Sequence, residues 1–160
     1  RHGLRIIDVE INDVNVGSLR AYITSTNSHL RSQLPGSNDR IKNLRAEENA
    51  LGLNNLCPYQ DFARRVNDIK QRVTGFIKQA VNHGRKIYVY GASTKGNTLL
   101  QYFGLDHHLI TAAADRNPDK WGKQTVGTNI PIISEEEARS AQPDYFLVLP
   151  WHFLKEFIKN

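Results

Sequence analysis

The chain opens with two short runs in which apolar and polar residues roughly alternate, at 4–12 (Leu-Arg-Ile-Ile-Asp-Val-Glu-Ile-Asn) and 18–25 (Ser-Leu-Arg-Ala-Tyr-Ile-Thr-Ser). Alternation rich in β-branched residues marks strands, and the polar stretch Asp13 to Gly17 between the runs predicts an antiparallel hairpin. A lone hairpin is marginal in water, and no nearby segment supplies further strands, so its sheet is expected upstream in a longer chain. Residues 26–38 are polar and hold Pro35-Gly36 and Ser37-Asn38, which makes them a connector. A helix of moderate signal follows at about 39–51, with Ser37 or Asn38 as cap candidates and Ile41, Leu44 and Leu51 on one side.

A stronger helical pattern begins after Pro58, where Phe62, Val66, Ile69, Val73, Phe76 and Ala80 recur at spacings of three and four and Gly84 stands past the end. This stripe reads as packing against the following domain or a partner helix. From Lys86 the period changes: a strand at Ile87–Tyr90, a glycine loop at Gly91–Gly96, a helix to about Phe103, and a strand at Leu109–Ala114 make a βαβ unit. Ile130–Ile133 reads as a short strand, and Ser134 to Glu137 fit the S-x-x-E capping box opening a helix to about Ala141. Tyr145–Leu149 is an apolar run of buried-strand type, stopped by Pro150, with a last helix from near His152. The pattern predicts an α/β chain: a Rossmann-like three-layer domain with a mostly parallel sheet over residues 58–160, preceded by a hairpin at 1–25 and a connector with a helix at 26–57.

With 160 residues, 39% of them hydrophobic, the chain holds one sizeable domain, or one plus part of another, and is not a disordered tail. No apolar run approaches the roughly 20 residues of a membrane span, so no membrane partner is expected. The single cysteine, Cys57, allows neither an internal disulfide nor a cysteine zinc site, and a reducing, cytoplasmic compartment is the expectation. The net charge of +5 suits phosphate-bearing partners. Nucleic acid is not expected, because Arg64, Arg65, Lys70, Arg72 and Lys78 scatter around a helix instead of interleaving with aromatics. The chain has neither a start methionine nor any other Met, which reads as a piece of a longer protein.

The candidate chemistry centres on Gly91-Ala92-Ser93-Thr94-Lys95-Gly96-Asn97, between a buried strand and a helix, where backbone N–H groups and the helix dipole favour a phosphate. Gly91 and Gly96 match the outer glycines of the G-x-G-x-x-G fingerprint, and Ser93 replaces the middle one. Lys95 could neutralise a phosphate or simply face solvent. Asp115 stands where a ribose-binding carboxylate follows the glycines in dinucleotide folds, about 20 residues on, or it caps the turn at Arg116-Asn117-Pro118. The carboxyl ends of parallel strands converge on one crevice, which would gather Gly91–Asn97, Asp115–Asn117 and Pro150-Trp151-His152. Trp151 could stack on a base or sugar, or pack; His152 could meet a phosphate or a hydroxyl. His107 and His108 precede the second strand on the opposite side and read as loop, not metal ligands. No G-x-S-x-G elbow is present, and Glu135, Glu136 and Glu137 read as helix-start acids.

Tyr90 to Leu100, Asp115-Arg-Asn-Pro118, Gly127-Thr-Asn-Ile-Pro131 and Pro143 to His152 together resemble the C-terminal domain of the SAM-dependent sugar C-methyltransferases. The resemblance covers most of the chain. It implies an upstream zinc-binding domain and an S-adenosylmethionine-binding domain, with residues 1–25 as the last strands of the latter. It also implies a transferase that removes a proton beside a keto group and passes the enolate to the methyl of SAM. This domain would then bind the nucleotide sugar through Gly91, Ala92, Ser93, Thr94, Lys95, Gly96, Asn97, Asp115, Arg116, Asn117, Trp151 and His152. Catalytic residues, the zinc site and the SAM site would all lie outside the chain, which alone would be inactive. Where many relatives read histidine-glycine-glycine-serine, this chain has Asn15-Val16-Gly17-Ser18, without that histidine. Two other readings stay open: an NAD-type dinucleotide domain of an oxidoreductase, and a non-catalytic ligand-sensing module that homodimerises through the long helix.

Overall fold

The computed structural model describes residues 2–14, 17–28 and 34–149, together with Leu154 and Ile158. Trp151, His152, Asn15 and Val16 lie outside the described residues. The chain divides into two compact units, Arg1–Arg64 and Arg65–Asn160.

In the first unit the hairpin forms where the alternation places it, with β1 (Leu4–Asn12) antiparallel to β2 (Ser18–Ser25). The register shifts between Ile6 and Asp8, and Asp8 is buried, 1% exposed. It is there met by Arg40 of α1 (Ser37–Ala50), whose Nε donates to Oδ1 at 2.9 Å and Nη2 to Oδ2 at 2.6 Å. A planar guanidinium on both carboxylate oxygens is directional, so the pair fixes how α1 lies on β1. The expected side-chain cap of α1 is absent: Gly36, at φ +73°, is the N-cap, and Ser37 is the first helical residue, buried. Leu51 falls past the helix end and is exposed. Leu4, Ile6, Ile11, Leu19 and Ile23 are exposed on the hairpin.

Helix α2 (Cys57–Asn82) ends at Gly84, in the left-handed region at φ +73°, where the Gly84 N–H donates to Val81 O and that of Arg85 to Ala80 O. In the second unit β3 (Ile87–Tyr90), β4 (Ala112–Ala114), β5 (Ile132–Ile133) and β6 (Tyr145–Val148) form an all-parallel sheet in the order β5-β4-β3-β6. Alternation sorts the strands into two faces. Ile87, Val89, Ala113 and Ile132 pack with Ile77 and Ala80 of α2 and Leu100 of α3 (Thr94–Phe103), while Tyr88, Tyr90, Ala112 and Ala114 pack with Ala138 of α4 (Glu135–Ser140). Helices thus cover both faces, the three-layer α/β arrangement that the pattern predicts.

Three further details differ from the sequence reading. The core stripe of α2 is Val73, Ile77, Ala80 and Val81, and Ile69 and Phe76 are left about half exposed, with Phe76 edge-on to Tyr145 at 5.1 Å. Strand β4 begins at Ala112, because the Leu109 and Ile110 N–H groups turn back onto Asp106 O. Strand β5 begins at Ile132, because Ile130 exchanges hydrogen bonds with Thr125 in a buried turn. Among the described residues no helix is long and apolar enough to cross a membrane.

Candidate functional site

The carboxyl end of β3 is built by two glycines and a serine. Gly91 has φ +89°, a conformation that a side chain disfavours, and its N–H donates to Ala114 O at 2.7 Å as the chain leaves the sheet. Ser93 is extended and accepts the Gly96 N–H on Oγ at 3.0 Å, so it caps α3. The helix therefore starts at Thr94: Thr94, Lys95, Gly96 and Asn97 are its first turn, and the predicted loop shrinks to Gly91–Ser93. Gly96 is buried against the end of β6, where an added Cβ would stand 2.8 Å from Leu149 Cδ1 and 3.0 Å from Leu149 Cβ. Gly91 and Gly96 thus fill the turn and close-packing roles of the outer fingerprint glycines.

Asp115, at the end of β4, ties this turn to the next loop. Its Oδ2 accepts the Ala92 N–H at 2.9 Å and the Lys120 ammonium at 3.0 Å, and its Oδ1 accepts the Asn117 N–H at 2.9 Å. Burial opposes the charge on Asp115, but the Asn117 amide, the Lys120 ammonium and the Ala92 amide outweigh it, and the carboxyl is held below its ordinary range. Lys120 also donates to Ala92 O at 3.0 Å, and Trp121 Nε1 donates to Asp115 O at 2.7 Å. Asn117 accepts the Asp119 N–H on Oδ1 at 3.0 Å, fixing the single turn of 3-10 helix, Pro118–Lys120, that carries Lys120 back. Arg116 donates from Nε to Glu135 Oε1 at 2.7 Å, the first residue of α4, whose cap is Ser134.

Of the residues expected at the site, the structure brings together the Gly91–Asn97 turn and the Asp115–Asn117 loop. Asp115 and Asn117 spend their oxygens within the loops, while Lys95 is exposed without a partner among the described residues. Asn97 Oδ1 is buried and likewise unpartnered among them. Lys120 and Trp121 escaped the sequence reading; the one available signal was Asn117-Pro118, which starts a tight turn and returns the chain to the strand ends. Away from this edge, Asp106, His107 and His108 hold their ligand atoms within 4.8 Å of one another, with the Asp106 carboxylate accepting the His108 N–H.

Compared with known proteins, residues 13–160 match the family described as the C-methyltransferase C-terminal domain. The C-methyltransferase NovU of Streptomyces niveus is 33% identical over 164 residues, which is 99% of this chain and 37% of that protein. The chain thus spans little more than a third of the length of this relative. A turn with two glycines in fingerprint roles, at the carboxyl edge of a parallel sheet, therefore sits in a chain that belongs to the C-methyltransferase C-terminal domain family.

Proposed function

We propose that this domain holds the nucleotide sugar of a SAM-dependent C-methyltransferase, with the diphosphate at the turn between β3 and α3. The observation that carries the reading is the start of α3: a Ser93-capped N-terminus at the positive end of the helix dipole, where the Gly96 and Asn97 amides are taken up by Ser93 and those of Thr94 and Lys95 are left toward a ligand, with exposed Lys95 beside them. Backbone donors on a turn that Asp115 already holds would bind an anion with little further ordering. Arg116, and Trp151 and His152 beyond β6, are proposed to face the remainder of the ligand.

SAM would supply the methyl group, and its binding is assigned to residues outside this chain. Asp115 gives the reason: its Oδ2 already accepts two hydrogen bonds and its side chain is only 11% exposed, which leaves no two-oxygen grip for a ribose diol of SAM or NAD. Zinc, too, is assigned outside the chain, whose one cysteine is exposed. The hairpin, with its exposed apolar residues, is proposed to complete a sheet of the SAM-binding domain. The role of this chain would be to position the sugar so that a carbon beside its keto group meets the base and the methyl donor.

Calorimetric titration with dTDP, UDP, GDP, NAD and SAM tests the reading. Binding of a nucleoside diphosphate, without SAM or NAD, is the expected result. Binding of NAD alone would replace it with a dinucleotide-domain reading.

A further inference from the structure

We infer that Lys120 is a positioning residue of this crevice, holding the turn before α3 in the shape that presents its amides to a phosphate. The inference rests on the nucleotide-sugar reading above. Both backbone polar groups of Ala92 are held from the β4 side: its N–H by Asp115 Oδ2 at 2.9 Å and its carbonyl by Lys120 Nζ at 3.0 Å. Lys120 and Asp115 are themselves joined at 3.0 Å, so the groups close a ring around the Cα of Ala92 that takes in the peptide units on both sides of it. The Asp115 bond holds the Gly91–Ala92 peptide plane and the Lys120 bond the Ala92–Ser93 plane, so loss of Lys120 leaves the second plane able to rotate. Rotation at Ala92 would re-aim the Ser93 amide and shift the Ser93 Oγ that caps α3.

The ring also explains the placing of the lysine. Its side chain is 37% exposed, against 11% for Asp115. A long flexible side chain held at a half-open site loses rotamer freedom, and the contacts it makes are to a neighbouring loop, not to the core. Lys95, exposed on the first turn of α3, would act on a ligand through its charge. Lys120, already paired with a carboxylate, would act through geometry. Ionic strength separates the two, because an exposed charge is screened by salt and a set peptide plane is not.

The experiment compares the wild-type chain with Lys120→Met, Lys120→Gln and Lys120→Arg, using dTDP and UDP as probes and following the Ala92 amide by hydrogen exchange. Methionine keeps the stem and removes the donors; arginine keeps donors enough for both acceptors. Lys120→Met is expected to weaken binding of the nucleotide that the wild type prefers by tenfold or more, equally at 50 mM and 500 mM NaCl. The Ala92 amide should exchange at least tenfold faster, and Lys120→Arg should restore affinity to within about threefold. Should Lys120→Met fail to fold, Lys120→Gln, which keeps one donor group, takes its place. Wild-type affinity and unchanged Ala92 exchange in the methionine or glutamine variant would overturn the role of Lys120 alone. Silence of the wild type toward both nucleotides would instead overturn the nucleotide reading, and with it any ligand-positioning role.

Discussion

Gly96→Ala puts one methyl group where the structure has no room for it. The new Cβ would stand 2.8 Å from Leu149 Cδ1, 3.0 Å from Leu149 Cβ and 3.0 Å from Ser93 Oγ, well inside the ~3.5–4.0 Å at which carbon atoms attract. Leu149 Cδ1 can swing away, but its Cβ moves only with the backbone at the end of β6. Overpacking of this kind costs about 1–3 kcal/mol. Alanine also gains close to 1 kcal/mol over glycine inside a helix, which offsets part of it. The expected net loss is roughly 0–2 kcal/mol, which a urea slope of about 1–2 kcal/mol/M turns into a midpoint lowered by as much as about 1–2 M. Trp121 belongs to the second unit and no tryptophan precedes Arg65 in the sequence, so fluorescence follows the unit that carries the change. Combining Gly96→Ala with Leu149→Ala should cost less than the sum of the two changes, since the leucine is the obstacle. A raised midpoint for Gly96→Ala would refute the reasoning, because helix propensity would then act alone and α3 would not be pressed onto β6.

Further expectations follow from the same contacts. Ser93→Ala removes the cap that the Gly96 N–H uses and should cost about 1 kcal/mol in urea unfolding; an unchanged midpoint would mean that α3 is held by packing alone. Leu100→Ala, at a side chain 1% exposed in the core between α3 and the sheet, should cost about 2–5 kcal/mol by the same assay, and a loss under 1 kcal/mol would place it outside the core. Asp115, like Asp8 and Asp144, has its folded-state carboxyl below the ordinary range. Near pH 4 the unfolded chain therefore binds more protons, and stability that is full above the unfolded value of ~3.9 is lost as pH falls through the folded one. Urea midpoints from pH 7 to pH 3 should fall for the wild type and less steeply for Asp115→Asn, whereas parallel curves would remove Asp115 from the acid response.

The elements were legible in the sequence wherever one period dominated. Hairpin bounds, the Gly84 stop and the Ser134 cap all depend on neighbours in sequence, and those are the places where expectation and structure agree. The misreadings fall where distant partners decide. Ile77 replaces Phe76 as a core residue because the direction in which α2 meets the sheet is a tertiary fact, and neighbouring positions on a helix are about 100° apart. Arg40 could not be paired with Asp8 from the sequence, since the register shift that turns Asp8 inward is invisible there. At the candidate site, the positions of the glycines were readable but the use of the carboxylate was not. Asp115 has the spacing of a ribose ligand, and only the fold shows its oxygens committed to Ala92, Asn117 and Lys120.

Ser93 joins these two levels. In a G-x-G-x-x-G turn the middle glycine lets a pyrophosphate come close to the backbone. Here the serine in that place turns its hydroxyl onto the Gly96 amide. One donor of the helix N-terminus is thereby consumed by the protein itself, and what a ligand can reach shifts toward the start of α3, where Lys95 adds a charge. The substitution that weakens the dinucleotide fingerprint is thus also the residue that sets where the helix begins. Anion recognition at this edge would then depend less on backbone approach to two phosphates at the glycines than on a fixed turn with a cation beside it. A turn used in this way must be held from outside, and the ring of Ala92, Asp115 and Lys120 holds it from the neighbouring strand.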